Sequence, residues 1–310
     1  MHYPCIRKAI FLDRPNRFIA HVMLEGKIQT IHVKNTGRCK ELLVPDATVY
    51  LERSDNPVRK TKYDLIAVEK IVTEESASPV KNLPAPQNSF ASQKSPSQPQ
   101  RALLINMDSP APNKVAAEWI RENKTYFPKL TLLKPEFTLG DSRFDFYAEY
   151  EDNDGQHHKS LIEVKGCTLE KDGVAFFPDA PTLRGLKHVR ELSELSKSGE
   201  YECMVLIIVQ MKECKYFTPN REIRPDFADA LKEAKGTGVK IIAVKCDVTS
   251  ESLVADKEIE VRVKVLTFPL SSAKIHAEFC QKTYDVFSKT YGEFFKTRRV
   301  FAQFVRLFSG

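Results

Sequence analysis

Seven consecutive apolar residues, Cys203-Met204-Val205-Leu206-Ile207-Ile208-Val209, run up to Gln210, and no other stretch restricts the fold as much. The run is far too short to cross a bilayer as a helix, which takes about 20 residues. Its lack of polar alternation marks a strand covered on both faces. Lys240 to Lys245 reads as a second strand of this kind. Arg184 to Ser196 places Leu186, Val189, Leu192 and Leu195 at spacings of three, which predicts an amphipathic helix, and Pro225 to Lys235 predicts a helix opened by proline near its first turn. Upstream, residues 113–122 are helical in pattern, and 132–139, 143–150 and 160–165 are strand candidates. Strands and helices in this order predict an α/β core.

The first 70 residues differ. Short apolar runs at 18–22, 27–33, 48–51 and 63–68 are separated by turn signals, which predicts a small antiparallel barrel. Residues 74–101 are dominated by Ser, Pro, Gln, Ala and Asn and have almost nothing to bury, as in a flexible insertion. Because Ala102 to Met107 resumes a strand-like run, the insertion reads as an interruption within a barrel hairpin. At the other end, Phe279, Tyr284, Phe287, Tyr291, Phe294, Phe301 and Phe308 recur at helical spacing among basic residues. They predict a helical tail that packs on the body or on a protein partner. The expected organisation is a barrel over 1–108, an α/β domain over 109–270 and the tail over 271–310.

At 42% hydrophobic and 28% charged residues, the composition is that of a water-soluble globular protein, and nothing in it predicts integral membrane association. A formal charge of +6 mildly favours a polyanionic partner. The seven cysteines are scattered and never spaced C-x-x-C, which argues for reduced thiols in a cytoplasmic or nuclear setting and against a structural zinc.

Chemistry concentrates in Arg143-Phe144-Asp145-Phe146 and Leu161-Ile162-Glu163-Val164-Lys165. On a strand, Glu163 and Lys165 project from one face while Ile162 and Val164 project from the other. If the two segments form a hairpin, Asp145 can join the pair, giving carboxylates for Mg²⁺, or Mn²⁺, beside an ammonium that orients water or neutralises phosphate. Register decides whether they meet. An odd-length loop centred on Asp154 sets Asp145 opposite Glu163, whereas a two-residue Asp154-Gly155 turn offsets them by one residue.

Longer strings surround this hairpin: Arg14-Pro15-Asn16-Arg17-Phe18, Lys34-Asn35-Thr36-Gly37-Arg38-Cys39-Lys40-Glu41-Leu42-Leu43-Val44-Pro45, and Phe176-Phe177-Pro178-Asp179-Ala180-Pro181-Thr182 leading into Arg184-Gly185-Leu186-Lys187-His188. With the hairpin, they resemble the sugar fermentation stimulation protein (SfsA) family over most of residues 7–268. The resemblance implies an N-terminal OB-like β-barrel followed by a PD-(D/E)xK nuclease-like α/β domain, and a DNA-binding role, single strands included. It makes Asp145 the first acid of the motif, Glu163 the second and Lys165 the lysine, and it offers Glu118 as a further metal-site acid. Arg17, Asn35, Thr36 and Arg38 on the barrel, and Arg184 and Lys187 beside the hairpin, become the candidate nucleic-acid contacts.

Each candidate also has a plainer reading. Glu118 suits a solvated helix face and Gly37 an ordinary turn needing positive φ. Arg184, Lys187, His188 and Arg190 grip phosphates or form only a solvated basic face. Gln210 contacts the metal water or the lysine, or is only a surface strand end. The functional expectation is a Mg²⁺-dependent nuclease; its alternative is a non-enzymatic DNA-binding regulator of sugar metabolism genes that keeps the fold without turnover. A direct carbohydrate enzyme is disfavoured, since no pair of carboxylates in an aromatic-rich cleft can be identified.

Overall fold

The computed structural model describes residues 1–73, 100–180 and 183–263. The tail expected at 271–310 lies outside these residues, as does 74–99 of the expected insertion. Gln100 and Arg101, assigned to the insertion from sequence, belong to a strand instead.

Strands β1 (Ile6–Asn16), β2 (Ile19–Leu24), β3 (Lys27–Val33), β4 (Thr48–Arg53), β5 (Tyr63–Thr73) and β6 (Gln100–Asn106) form one sheet in the order β3-β2-β1-β4-β5-β6. Parallel pairing of β3 with β5, at His32↔Asp64 and Val33↔Leu65, closes β1 to β5 into a ring. Closure removes the open edges that would otherwise template association. Period-2 alternation supplies the interior: Ala20, Val22 and Leu24 of β2 are buried while Ile19, His21 and Met23 are only partly so.

The rest of the described chain runs α1 (Ala111–Glu122), β7 (Lys129–Leu139), β8 (Ser142–Glu151), β9 (His157–Cys167), β10 (Leu169–Lys171), β11 (Val174–Phe177), α2 (Leu183–Ser198), β12 (Glu202–Val209), β13 (Tyr216–Pro219), α3 (Pro225–Gly236), β14 (Lys240–Val248) and β15 (Leu253–Val261). Its nine strands form a sheet ordered β10-β11-β13-β15-β14-β12-β9-β8-β7. The apolar run that dominates the sequence becomes β12, parallel to β9 on one side and β14 on the other. Met204, Leu206 and Ile208 pack in a cluster with Val115, Ala116 and Ile120 of α1. The residues between them, Val205 and Ile207, pack in a cluster with Val189 and Leu192 of α2 and Phe227 and Leu231 of α3. Helices on both faces therefore account for a strand with no polar side.

The cluster under α2 and α3 continues through Met107 and Ile105 to Val49 and Leu65 of the barrel. Barrel and sheet share one core within a single compact unit, Met1–Val263. Polar contacts reinforce the seam. Gln210, 2% exposed, donates from Nε2 to the Asn106 carbonyl (3.1 Å), Asn106 Oδ1 (3.0 Å) and the Asp108 carbonyl (3.3 Å). Its backbone carbonyl accepts from the Asn106 N–H and its backbone N–H donates to the Cys167 carbonyl. The sequence reading of Gln210 as a surface strand end is thereby corrected: a primary amide meets the acceptors where the barrel chain crosses the end of β12. Lys70 of β5 reaches Glu170 of β10, bonding both its carbonyl and its carboxylate at 2.6 Å.

The six cysteines among the described residues are free thiols. Burial pushes Cys203, Cys214 and Cys246 up to about 12, which keeps them protonated and unreactive.

Gly166 of β9 makes this seam possible. A Cβ there would lie 2.6 Å from Gln210 Oε1 and 2.6 Å from Pro112 Cγ. Neither neighbour can retreat, since the amide is held by three hydrogen bonds and the proline is a ring. Gly166→Ala is expected to destabilise the protein by about 1–3 kcal/mol, the usual cost of overpacking. Urea denaturation of both proteins at one pH tests this, and an unchanged midpoint would show that the seam yields.

Candidate active site

Strands β8 and β9 pair from Glu151↔His157 to Phe146↔Ile162, which leaves a loop centred on Asp154. Of the two registers open from sequence, this is the one that aligns Asp145 with Glu163. Asp152 selects it: its Oδ1 accepts from the N–H groups of Asp154 and Gln156, both at 2.9 Å, and its own N–H donates to the Gln156 carbonyl.

Pairing stops one step short of Asp145. Oδ2 of Asp145 instead accepts from the Val164 N–H at 2.7 Å, occupying the place of a strand carbonyl. On its other side β7 makes the same skip: Pro135 pairs with Phe146 and Phe137 with Phe144, while Glu136 between them lies at φ +51. A non-glycine residue in the left-handed region beside a break in the ladder marks a local distortion of the kind found at functional sites. One expectation is corrected here. Strand alternation over 143–150 predicts Phe144 on the same face as Phe146 and Ala148, but the distortion sends it into the cluster under α2, while the other two stay with α1.

Glu163 lies 2% exposed beneath α2. Its Oε1 accepts from Lys165 Nζ and from His188 Nδ1 of α2, while Oε2 is buried with no partner among the described residues. Burial works to raise the Glu163 pKa, but the His188 hydrogen bond and the Lys165 ammonium outweigh it and hold the carboxyl below its ordinary value. Asp145 shifts the other way. Burial and then the Glu163 charge push it up, against the Val164 N–H, Lys165 and the Asn113 amide. That amide bonds Asp145 Oδ1 at 2.9 Å from the first turn of α1.

The structure thus gathers Asp145, Glu163 and Lys165, and adds Asn113 and His188. Asn113 was assigned no site role from sequence, whereas His188 was a candidate phosphate contact and here bonds Glu163 instead. His188 had a detectable signal, a histidine in the apolar-spaced face of α2; Asn113 had none. Glu118 does not join this group. Its Oε2 is bound at 2.8 Å by the Met1 amino group and its side chain is half-exposed, because five residues of helix carry it along and around α1 from Asn113.

Among the remaining candidates, Lys187 is exposed and ion-pairs with Glu191 at 3.4 Å, while the Arg184 side chain lies outside the described residues. The barrel set is assembled by Arg14, whose guanidinium donates to the carbonyls of Arg17 and Asn35 (both 2.7 Å), Gly37 (2.8 Å) and Arg38 (3.0 Å). Arg17, Thr36 and Arg38 are left exposed around it. Gly37 is needed for space and not for positive φ: a Cβ would lie 2.6 Å from Asp179 Oδ2 and 2.9 Å from Asn35 Oδ1. The barrel turn is therefore in contact with the loop entering α2.

Mg²⁺ takes oxygen ligands and keeps several waters, so two carboxylates and a phosphate can hold it. The residues present fit such an ion. Both acids are carboxylates, they are close enough for the Glu163 charge to act on Asp145, and the buried Glu163 Oε2, without a partner among the described residues, is an acceptor that a cation would satisfy. No group of three or more His, Cys, Asp or Glu side chains placed to hold a metal occurs among the described residues. None of the described helices is long and apolar enough to cross a membrane.

Two family models match the chain. The SfsA N-terminal OB domain covers residues 12–73, and the Sugar fermentation stimulation protein RE domain covers 110–252. A Sugar fermentation stimulation protein homolog of Desulfitobacterium hafniense is 47% identical over 263 residues, 85% of this chain and 99% of the relative. One from Ruminiclostridium cellulolyticum is 42% identical over 263 residues, 85% of this chain and 100% of the relative. Among solved structures, Pyrococcus furiosus SfsA in complex with Ca²⁺ is similar at a TM-score of 0.65 and 25% identity, covering 84% of this chain and 98% of that one. With both domains matched in order and relatives aligned over nearly their whole length, the chain belongs to the sugar fermentation stimulation protein (SfsA) family.

Proposed function

We propose that the protein is a divalent-metal-dependent nuclease, in which the barrel grips DNA and the α/β domain hydrolyses a phosphodiester. The observation that carries this reading is that the β8–β9 register, carried one step past its last pair, brings the Asp145 carboxyl within the field of Glu163, with one buried Glu163 oxygen left without a partner among the described residues. A related SfsA was solved in complex with Ca²⁺, another hard, oxygen-seeking ion, which supports a divalent cation as a ligand in this family.

When bound, Mg²⁺ or Mn²⁺ would stabilise charge on the phosphate and lower the pKa of an attacking water. Asp145 and Glu163 would hold the ion, with Asn113 and the Val164 N–H orienting the first carboxylate and His188 the second. Lys165 sits against Glu163 Oε1, from where its ammonium can turn to the phosphate or the water. Arg17, Thr36 and Arg38 would contact the DNA backbone from the barrel, and Lys187, with Arg184, from α2. A second reading, binding without turnover, is favoured by one feature: among the described residues only two carboxylates converge, since Glu118 is engaged elsewhere.

Purified protein incubated with labelled single-stranded and duplex DNA in Mg²⁺, Mn²⁺ or EDTA decides between them. Cleavage is expected only with metal, and Asp145→Ala or Glu163→Ala should abolish it. Lys165→Ala should reduce it at least about 100-fold, while affinity falls by about one phosphate contact. Tight binding by the wild type with no cleavage in any metal would hand the site to the binding-only reading.

The Asp145 shift predicts a pH signature. Its folded pKa is raised, so the favourable protonated form is fully present below the ordinary value of about 3.9 and is lost as pH rises through the folded value. In EDTA near pH 7, Asp145→Asn should therefore melt at a higher temperature than wild type, with the gap narrowing as pH falls toward 4. Added Mg²⁺ should raise the wild-type melting temperature more than the variant's. Equal metal-induced shifts would remove Asp145 from the ion.

Arg38→Ala should weaken DNA binding regardless of sequence and lower the slope of log affinity against log salt by about one unit. A slope equal to wild type would return Arg38 to the solvated surface.

A further inference from the structure

Next to the two carboxylates, at the C-terminal ends of parallel strands β9 and β12, lies a cleft of about 170 Å³ that the chemistry above does not use. In open α/β sheets, ligands bind in the crevice beyond the carboxyl ends of the strands. Two of the lining residues, Pro112 and Gly166, are the chain neighbours of Asn113 and Lys165. An apolar cavity of about 150 Å³ holds one benzene ring, so the size suits a single aromatic ring and excludes a whole nucleotide.

The walls are those of a ring-binding site. Phe176 and Phe177 supply aromatic surface and Pro112 an apolar edge, with Gly166 letting Pro112 and Gln210 close in beside them. The polar groups are fixed in kind. Gln210 is almost wholly buried and its Nε2 is committed to three acceptors, so its orientation is determined and Oε1 is left as an acceptor at the cleft with no partner among the described residues. Asp179 brings a carboxylate that makes no hydrogen bond or ion pair among the described residues. Asn35 reaches in from the barrel with Oδ1 already accepting from the Gly37 N–H at 2.8 Å, which leaves Nδ2 as a donor.

Two acceptors and one donor around a single ring select its partner. An exocyclic amino group offers one N–H to Asp179 and one to Gln210 Oε1, and a ring nitrogen acceptor takes the Asn35 amide. Cytosine presents this set on one six-membered ring through N4–H₂ and N3. Thymine presents O4 and N3–H, reversing both signs. We infer that the cleft receives one unstacked cytosine of the DNA strand, held between Phe177 and Pro112 and recognised by Asp179, Gln210 and Asn35. This deepens the DNA reading and rests on it. Enzymes and single-strand binders that read an extruded base combine stacking with hydrogen bonds to its Watson–Crick edge in the same way.

Fluorescence anisotropy with short oligo-dC and oligo-dT strands at pH 7.5 in EDTA tests it without cleavage. Wild type is expected to bind oligo-dC about tenfold more tightly, the discrimination one well-made base contact supplies. Asp179→Asn, isosteric with a partly exposed side chain, should cut that ratio to about threefold or less. Asn35→Ala should weaken oligo-dC more than oligo-dT, and melting curves of both variants confirm that the fold is retained. Equal affinity of the wild type for the two strands, or an unchanged ratio in Asp179→Asn, overturns the cytosine pocket while leaving DNA binding in place. Failure to bind either strand overturns both. Binding of free CMP with no preference between strands overturns the assignment to a strand base.

Discussion

One hydrogen bond organises the site: the Asp145 carboxylate accepting the Val164 N–H where a strand carbonyl would otherwise stand. Satisfying that donor with a side chain lets β8 part from β9, while it goes on pairing with β7, without leaving the Val164 N–H unpaired. The departure lets Phe144 turn beneath α2, where its ring lies 6.4 Å from that of His188. His188 in turn bonds the Glu163 carboxylate. The end of an ordinary hairpin is thereby converted into a buried polar site, and the burial sets the two acids apart in protonation. Glu163, with a cation and an imidazole on one oxygen, is held ionised, while Asp145 faces the charge of Glu163 and is pushed up.

Much of this was legible because strand periodicity is a strong signal. The barrel strands, the doubly covered β12 and β14, and the shared face of Glu163 and Lys165 follow from period-2 patterns and uninterrupted apolar runs. What escaped depends on contacts between distant segments. Register hung on Asp152, whose side chain bonds two loop N–H groups, and nothing in Asp152-Asn153-Asp154-Gly155-Gln156 alone separates that loop from a two-residue turn. Helical pattern located α1 but not which of its polar residues would face the hairpin, and Asn113 holds the place expected of Glu118. His158 follows a run of polar residues that predicts a solvated histidine, yet it is clamped between Asp152 and Glu202 and stacked on Tyr150, partners drawn from three strands or their connections.

The seam between barrel and sheet carries a second lesson. Tertiary approach, not local backbone, explains Gly37 and Gly166: each keeps clear a space into which another segment's side chain presses. Both glycines lie where the barrel turn, the loop entering α2 and the ends of the central strands converge. The barrel is consequently part of the wall of the region where the chemistry is proposed to occur, and a strand of nucleic acid held on its exposed arginines would be delivered to the sheet by a surface that cannot shift independently of it.

The hairpin of β5 and β6 has its last pair at Thr73↔Gln100, so the chain leaves the barrel and re-enters it at adjacent positions. Closing a loop between ends already held together costs only about 0.6 kcal/mol for each doubling of its length. The barrel is thus indifferent to how much sequence is threaded through that point. It is a natural port at which segments can be lengthened, shortened or exchanged, by evolution or for attaching a probe, without altering the ring that β1 to β5 complete.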